Sequence, residues 1–349
     1  MDTKLFSINP EKMDNEALHK AGEIIKNGGL VAFPTETVYG LGGDALNKES
    51  SKKIYAAKGR PSDNPLIVHI CCMEDLASLV KSVPKEAKAL AEAFWPGPLT
   101  MIFEKSDKVP FETTGGLPTV AVRMPKDTIA LSFIRESGGY VAAPSANISG
   151  KPSPTLAKYV MEDMAGRIDA VIDGGEAVIG LESTIVDLTG EIPMILRPGY
   201  ITKEMLLEVL DEVEEDRTMM HQEEGARPKA PGMKYRHYAP KGLLTIISGE
   251  GKEVVRRIND LTEEAMSYGK KTGVIATAEN FSMYRADVIK NAGNRDDEAA
   301  IARELYRILR EFDEEDVEVI YSESFDENGI GQAIMNRLLK AAGHHIEYI

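Results

Sequence analysis

TVAVRMPKDTIALSFIRESGGYVAAPSANISGKPSPT, residues 119–155, decides the fold class. Its opening TVAVRM is a short apolar, β-branched run that predicts a strand, and residues 127–137 carry the spacing of a helix. YVAA predicts a second strand, which runs into a loop rich in Ser, Asn, Gly and Pro before helical spacing returns at 155–164. Strand, helix, strand and loop in quick succession is the rhythm of a mixed α/β domain.

The rhythm extends both ways. Upstream, a helix is predicted at 14–26, stopped by Gly28-Gly29, then a strand at 30–33, helices at 48–57 and 84–95, and strands at 65–70 and 99–104. Downstream, strands are predicted at 169–173, 183–188 and 194–197, and a helix at 202–215. Residues 216–242 then lose all periodicity and gather Pro, Gly and basic side chains, which predicts a linker. Beyond it LLTIIS, TGVIAT and VEVIYS are apolar strands between helical patterns at 252–267, 296–312 and 331–342, a second βαβ-type sheet domain. A chain of 349 residues suits such a division, because single cores stop growing near roughly 250–300 residues.

Hydrophobic residues make up 43% and charged residues 28%, the composition of a globular protein. No apolar run reaches the roughly 20 residues that cross a bilayer, and the N-terminus lacks the apolar core of a signal peptide, so the expected location is cytoplasmic, away from membranes. The formal charge is −15, and acids outnumber bases on both sides of the linker. Strong direct nucleic-acid binding is therefore not expected, since grip on a long phosphate backbone needs basic surface. Cys71 and Cys72, the two cysteines, are adjacent; neighbours in a strand point to opposite faces, so they read as buried free thiols.

Three segments can carry chemistry. KGRP, residues 58–61, offers an ammonium and a guanidinium two positions apart at a helix end, fit either for a polyphosphate or for neutralising the helix C-terminus. Neither Lys58 nor Arg60 is expected in a core. PSANISGKPSPT, residues 144–155, follows a strand; Ser145, Asn147 and Ser153 can meet phosphate or ribose oxygens, or the segment is an ordinary capped turn. FPTETVYGLGGDA, residues 33–45, reads as a glycine-rich turn without the spacing of a dinucleotide fingerprint, and SGEGKE, residues 248–253, reads as a turn into a helix. His69, His237, His344 and His345 have no partner at metal-ligand spacing, so no metal site is expected.

FPTETVYGLGGDA, KGRPSDNPLIVHI, WPGPLT, TVAVRMP, APSANISGKPSPT, LESTIVDL and ILRPG occur in an order and spacing that resembles the YrdC-like threonylcarbamoyl-AMP synthase family over residues 10–205. The linker segment APGMKYRHYAP and the domain after it look like the longer, two-domain form of that family. The resemblance implies a twisted mixed-sheet YrdC-like catalytic domain with a deep cavity at 1–212, a linker or lid at 213–241, and a smaller Rossmann-like α/β domain at 242–349. It implies an L-threonylcarbamoyladenylate synthase that joins L-threonine, bicarbonate and ATP, with Mg2+ carried on the ATP phosphates. The product would pass to a tRNA threonylcarbamoyl-transferase complex that modifies the adenosine next to the anticodon.

By the same resemblance Lys58, Arg60, Ser145 and Asn147 carry catalysis and hold ATP together with Ser62 or Asn64, Thr119, Ala143, Ser153, Arg197 and Tyr235. Thr35, His69, Arg123 and Ser183 would hold threonine, Arg123 by gripping its carboxylate. The competing function is a double-stranded RNA-binding or ribosome-assembly factor, which the acidic balance disfavours. A hydrogenase-maturation carbamoyltransferase would need zinc-finger cysteines that two residues cannot supply.

Overall fold

The computed structural model describes residues 2–216 and 237–349. They form two compact units: the first holds residues 2–149, 153–178 and 182–216, the second holds Gly150–Pro152, Ile179–Leu181 and 237–349.

The first unit begins with β1 (Lys4–Ser7), α1 (Asn15–Lys26), β2 (Val31–Phe33), β3 (Gly40–Asp44), α2 (Lys48–Lys58), β4 (Ile67–His69), α3 (Met73–Leu79), α4 (Lys85–Phe94) and β5 (Leu99–Glu104). It continues with β6 (Thr119–Arg123), α5 (Thr128–Glu136), β7 (Val141–Ala142), α6 (Ala157–Met164), β8 (Ala170–Asp173), β9 (Thr184–Asp187), β10 (Met194–Arg197), α7 (Lys203–Leu207) and β11 (Glu214–Glu215). Among the described residues eleven strands make one mixed sheet in the order β1-β8-β2-β3-β7-β4-β6-β5-β9-β10-β11. β8 pairs in parallel with both β1 and β2, and so lies between them.

Strand alternation sends successive side chains to opposite faces, and both faces are covered. Val31 and Phe33 join a cluster with Leu18, Ile25, Ile129 and Phe133 from α1 and α5, whereas Ala32 joins Leu41, Ile54, Val68 and Val122 on the other side. The helix starts follow the sequence: Asp14 caps α1 through the amide of Ala17, Asn47 caps α2 through Glu49, and Asp127 caps α5 through Ala130.

β3 corrects the reading of residues 33–45 as a turn throughout. GLGGD has no alternating bulk to announce a strand, and its glycines answer a space requirement: a Cβ on Gly42 would lie 2.9 Å from Val141 Cγ1 and 3.0 Å from the Val31 carbonyl. The predicted helix at 202–215 is also shorter: α7 stops at Leu207, and Glu214–Glu215 pairs in parallel with β10. β1 and α3 carried no clear signal. Cys71 and Cys72 are free but only half-buried, with both thiols turned toward the Asp75 carboxylate.

The second unit alternates β12 (Leu243–Ser248), α8 (Gly251–Ser267), β13 (Thr272–Ala276), β14 (Val288–Asn291), α9 (Glu298–Glu314), β15 (Val319–Glu323), α10 (Gly329–Ala341) and β16 (Ile346–Tyr348). The strands pair in parallel throughout in the order β14-β13-β15-β12-β16, so this is the smaller Rossmann-like sheet. Ile247, Val254, Ile258, Val274 and Tyr321 share its core. No described helix is long and apolar enough to cross a membrane.

Candidate functional site

α2 ends where the chain needs a left-handed residue. Gly59 adopts φ 62° and ψ 34°, which glycine accepts without Cβ strain, and its amide returns to the Ala56 carbonyl. The turn leaves Lys58 inside: the residue is 1% exposed and its Nζ donates to the carbonyls of Ser145 and Asn147, each at 2.5 Å. The Lys58 carbonyl in turn accepts from the Ser149 amide. The loop after β7 is thus tied to the end of α2 through Lys58.

This corrects the expectation that the two cations stay outside any core. Arg60 is 9% exposed, with Nε on the Asn64 carbonyl and Nη2 on that of Pro65. Carbonyl acceptors satisfy these buried donors without themselves cancelling the charge. Ser145 Oγ donates to Asn147 Oδ1 at 2.5 Å, which turns the amide of that side chain onto the Ile148 carbonyl. Ala143 donates its amide to Ile67, and Ser153 donates to the buried Glu182 carboxylate at 2.6 Å. Of the pair Ser62 and Asn64, Ser62 is exposed and Asn64 is buried with no partner for Oδ1 among the described residues.

A second group stands on the sheet. Register places His69 of β4 beside Arg123 of β6, and Arg123 beside Thr100 of β5, so the three side chains share one face in a cross-strand row. Thr100 hydrogen-bonds Ser183 Oγ at 2.7 Å, and Arg197 from β10 donates to the carbonyl of Ser183 at 3.0 Å and to its hydroxyl at 3.2 Å. Arg123 donates Nη1 to Thr37 Oγ1 at 2.8 Å, Nη2 to Glu36 Oε1 at 2.6 Å and Nε to the Gly97 carbonyl at 3.2 Å. Thr35 gives its proton to the Val38 carbonyl, so the Thr37 hydroxyl must donate to Thr35. The chain Arg123, Thr37, Thr35, Val38 therefore has a fixed direction. Burial, and then the Arg123 charge, bring the His69 pKa down to about 3, so its ring is neutral. Burial raises the Asp127 carboxyl, with the nearby Glu36 adding to the rise and Arg123 opposing it.

Lys58, Ser145 and Asn147 are thus gathered in one cluster, Arg60 and Asn64 in a second, Thr35, His69 and Arg123 in a third, and Ser183 meets Arg197. Thr119 opens β6, four positions before Arg123, and is half-buried on an extended strand some distance from that row. Tyr235 lies outside the described residues. Glu36, Thr37, Thr100 and Glu182 went unread in the sequence. The signal for Glu36 is an acid three residues beyond an apolar strand, where solvated charge is not the default.

The family described as telomere recombination, of the Sua5, YciO and YrdC type, matches residues 23–199, and the family described as threonylcarbamoyl-AMP synthase, C-terminal domain, matches residues 201–343. A threonylcarbamoyl-AMP synthase of Pyrococcus abyssi is 48% identical over 96% of this chain and 97% of its own length. One from Bacillus subtilis is 48% identical over 94% of this chain and 93% of its own. A crystal structure of P. abyssi Sua5 complexed with L-threonine superposes with a TM-score of 0.94 at 46% identity, covering 99% of this chain and all of that one (100%). Escherichia coli YciO shares the fold over 56% of this chain and 95% of its own, at a TM-score of 0.51 and 22% identity.

Proposed function

The chain belongs to the threonylcarbamoyl-AMP synthase family, and from that premise we propose how its residues divide the reaction. It is an enzyme of the nucleotidyltransferase type that forms threonylcarbamoyl-AMP, with ATP as a substrate. The observation that carries this conclusion is identity at 48% over nearly the whole of both chains, across both units.

In our reading Lys58, Arg60, Ser145 and Asn147 meet the triphosphate, with Asn64, Thr119, Ala143, Ser153 and Arg197 around the nucleotide. Two buried cations and a loop of hydroxyl and amide groups are the donor chemistry that phosphate oxygens ask for. Thr35, His69, Arg123 and Ser183 hold threonine. Arg123 has five N–H donors, three of them engaged, which leaves one on each Nη without a partner among the described residues. Those two suit a carboxylate.

The neutral threonine amine adds to the carbon of bicarbonate and a C–O bond breaks with loss of water, giving a carbamate whose oxygen attacks the α-phosphorus of ATP while pyrophosphate leaves. Negative charge on the phosphate oxygens grows toward the transition state, and the fixed Lys58 and Arg60 charges stabilise it without reorganising. Mg2+ would be held by the ATP phosphate oxygens rather than by Lys58 or Arg60, which are cations and not ligands, and there it would neutralise charge on the leaving group. A neutral His69 adds polarity beside Arg123 without a competing cation. We further propose a cytoplasmic enzyme, active before a tRNA threonylcarbamoyl-transferase complex. The experiment is a mass spectrum of the product from threonine, bicarbonate, Mg2+ and ATP: a threonylcarbamoyl-adenylate peak that requires all three substrates is expected, and its absence would overturn the proposal.

A further inference from the structure

Glu36 stands in the turn after β2, between the two threonines of the hydroxyl chain. Its side chain is 6% exposed, and only one of its oxygens is used: Oε1 accepts from Arg123, while Oε2 is buried without a hydrogen-bond partner among the described residues. A buried carboxylate oxygen with no donor is an unfavourable arrangement, and where a fold retains one beside a ligand site the missing donor is a natural part of the ligand.

The surroundings say what kind of donor. Arg123 supplies one positive charge, Glu36 supplies a carboxylate in contact with it, Asp127 supplies a carboxyl close enough to feel both, and His69 is neutral. A ligand bringing only a carboxylate would satisfy the remaining Arg123 donors and leave Glu36 Oε2 as it is. A zwitterion satisfies both, with its carboxylate on Arg123 and its ammonium on Glu36, and the direct Arg123–Glu36 contact sets the two receiving groups side by side as the two charged ends of an α-amino acid require.

We propose that Glu36 receives the α-ammonium of the amino-acid substrate and is the residue that makes the site choose an α-amino acid over the same acid without its amine. The inference rests on the reading of the Arg123 row as the threonine site. It gives Glu36 a direct contact with the nitrogen that becomes the carbamate, and it explains why a second acid is enclosed next to an arginine already held by Thr37 and Gly97.

The test compares L-threonine with its deamino analogue (R)-3-hydroxybutanoate by calorimetric titration of the full-length protein and of Glu36→Gln. Glutamine keeps a carbonyl oxygen for Arg123 and nearly the same volume, but removes the charge. Wild type is expected to prefer threonine by about 10–100-fold, Glu36→Gln to lose most of that preference, and the analogue to bind both proteins within about 2-fold, since one charge-assisted contact has this range. Equal losses for threonine and analogue would mean that Glu36 only holds Arg123 in place, and undiminished threonine binding would mean that it meets no substrate at all; either overturns the inference while leaving the threonine site standing. A wild type that binds no threonine overturns the site reading itself. Should Glu36→Gln fail to fold, Glu36→Asp keeps the charge but withdraws it by one methylene, and the same ratio is expected to shrink.

Discussion

Arg123 Nη2 and Glu36 Oε1 lie 2.6 Å apart with 5% and 6% of their side chains exposed, an ion pair almost wholly enclosed by protein. Such a pair is weak as a source of stability but expensive to break on one side, because the remaining charge is left buried alone. Arg123→Ala is therefore expected to lower unfolding free energy by about 3–5 kcal/mol, and the double variant Arg123→Met, Glu36→Gln to recover much of that loss. Urea denaturation of the two variants measures it. A double variant as unstable as Arg123→Ala would contradict the account.

Lys58 calls for a finer substitution than alanine. Lys58→Met keeps the apolar stem within α2 and deletes only the ammonium that ties the Ser145 and Asn147 carbonyls. Stability should fall by about 1–3 kcal/mol, the range for buried acceptors left without a donor, and turnover by at least about 100-fold. Lys58→Arg is expected to fail as a rescue, since a planar fork does not replace a point charge between two carbonyls. Thermal unfolding and product formation, read side by side, check both outcomes.

His69 gives the fold a pH dependence. The unfolded ring takes up a proton near its usual 6.5, but the folded ring does so only near 3, because burial and Arg123 oppose the charge. Its contribution to stability is therefore complete above about pH 6.5 and is lost as pH falls toward about 3, by at most about 1.4 kcal/mol per pH unit. Asp127, whose carboxyl is raised by burial, acts in the opposite direction and is common to both proteins in the comparison. His69→Gln should show a slope shallower by about 1 kcal/mol per unit between about pH 6 and about pH 4. Parallel slopes would sink the assignment of the neutral ring.

The glycines of β3 make a fourth case. A methyl at Gly42 meets Val141 and the Val31 carbonyl at 2.9 and 3.0 Å, and the second contact is backbone, which cannot step aside. Gly42→Ala is expected to cost about 1–3 kcal/mol by overpacking, with Gly42→Val worse. Chemical denaturation of both variants tests the order.

These variants also mark where the sequence was readable. β5, β6 and β9 are apolar, β-branched runs whose composition announces a strand, and the caps of α1, α2 and α5 were written as Asp or Asn at the boundary. β3 was not readable, because a strand chosen for the absence of side chains leaves no pattern of bulk. The KGR and SAN segments could be named, yet not the burial of Lys58, since nothing local says that a lysine will end among carbonyls 87 positions away. Glu36 was hidden for the same reason: its partner is 87 positions off, and a pair that distant exists only once β2 and β6 share a sheet.

The place of β8 between β1 and β2 bears on how the protein is made. On a ribosome, β1 and β2 emerge early with no neighbour to separate them correctly, and the strand that belongs between them ends only at Asp173. At roughly 5–20 residues per second, the interval from Phe33 to Asp173 is roughly 7–30 s of synthesis during which β2 keeps one edge open. The catalytic sheet is consequently assembled late and by long-range closure, whereas the second unit arrives as strand and helix in turn. Nascent chains stalled before residue 170 should be the aggregation-prone and chaperone-dependent species, and slow translation of that stretch lengthens their exposure.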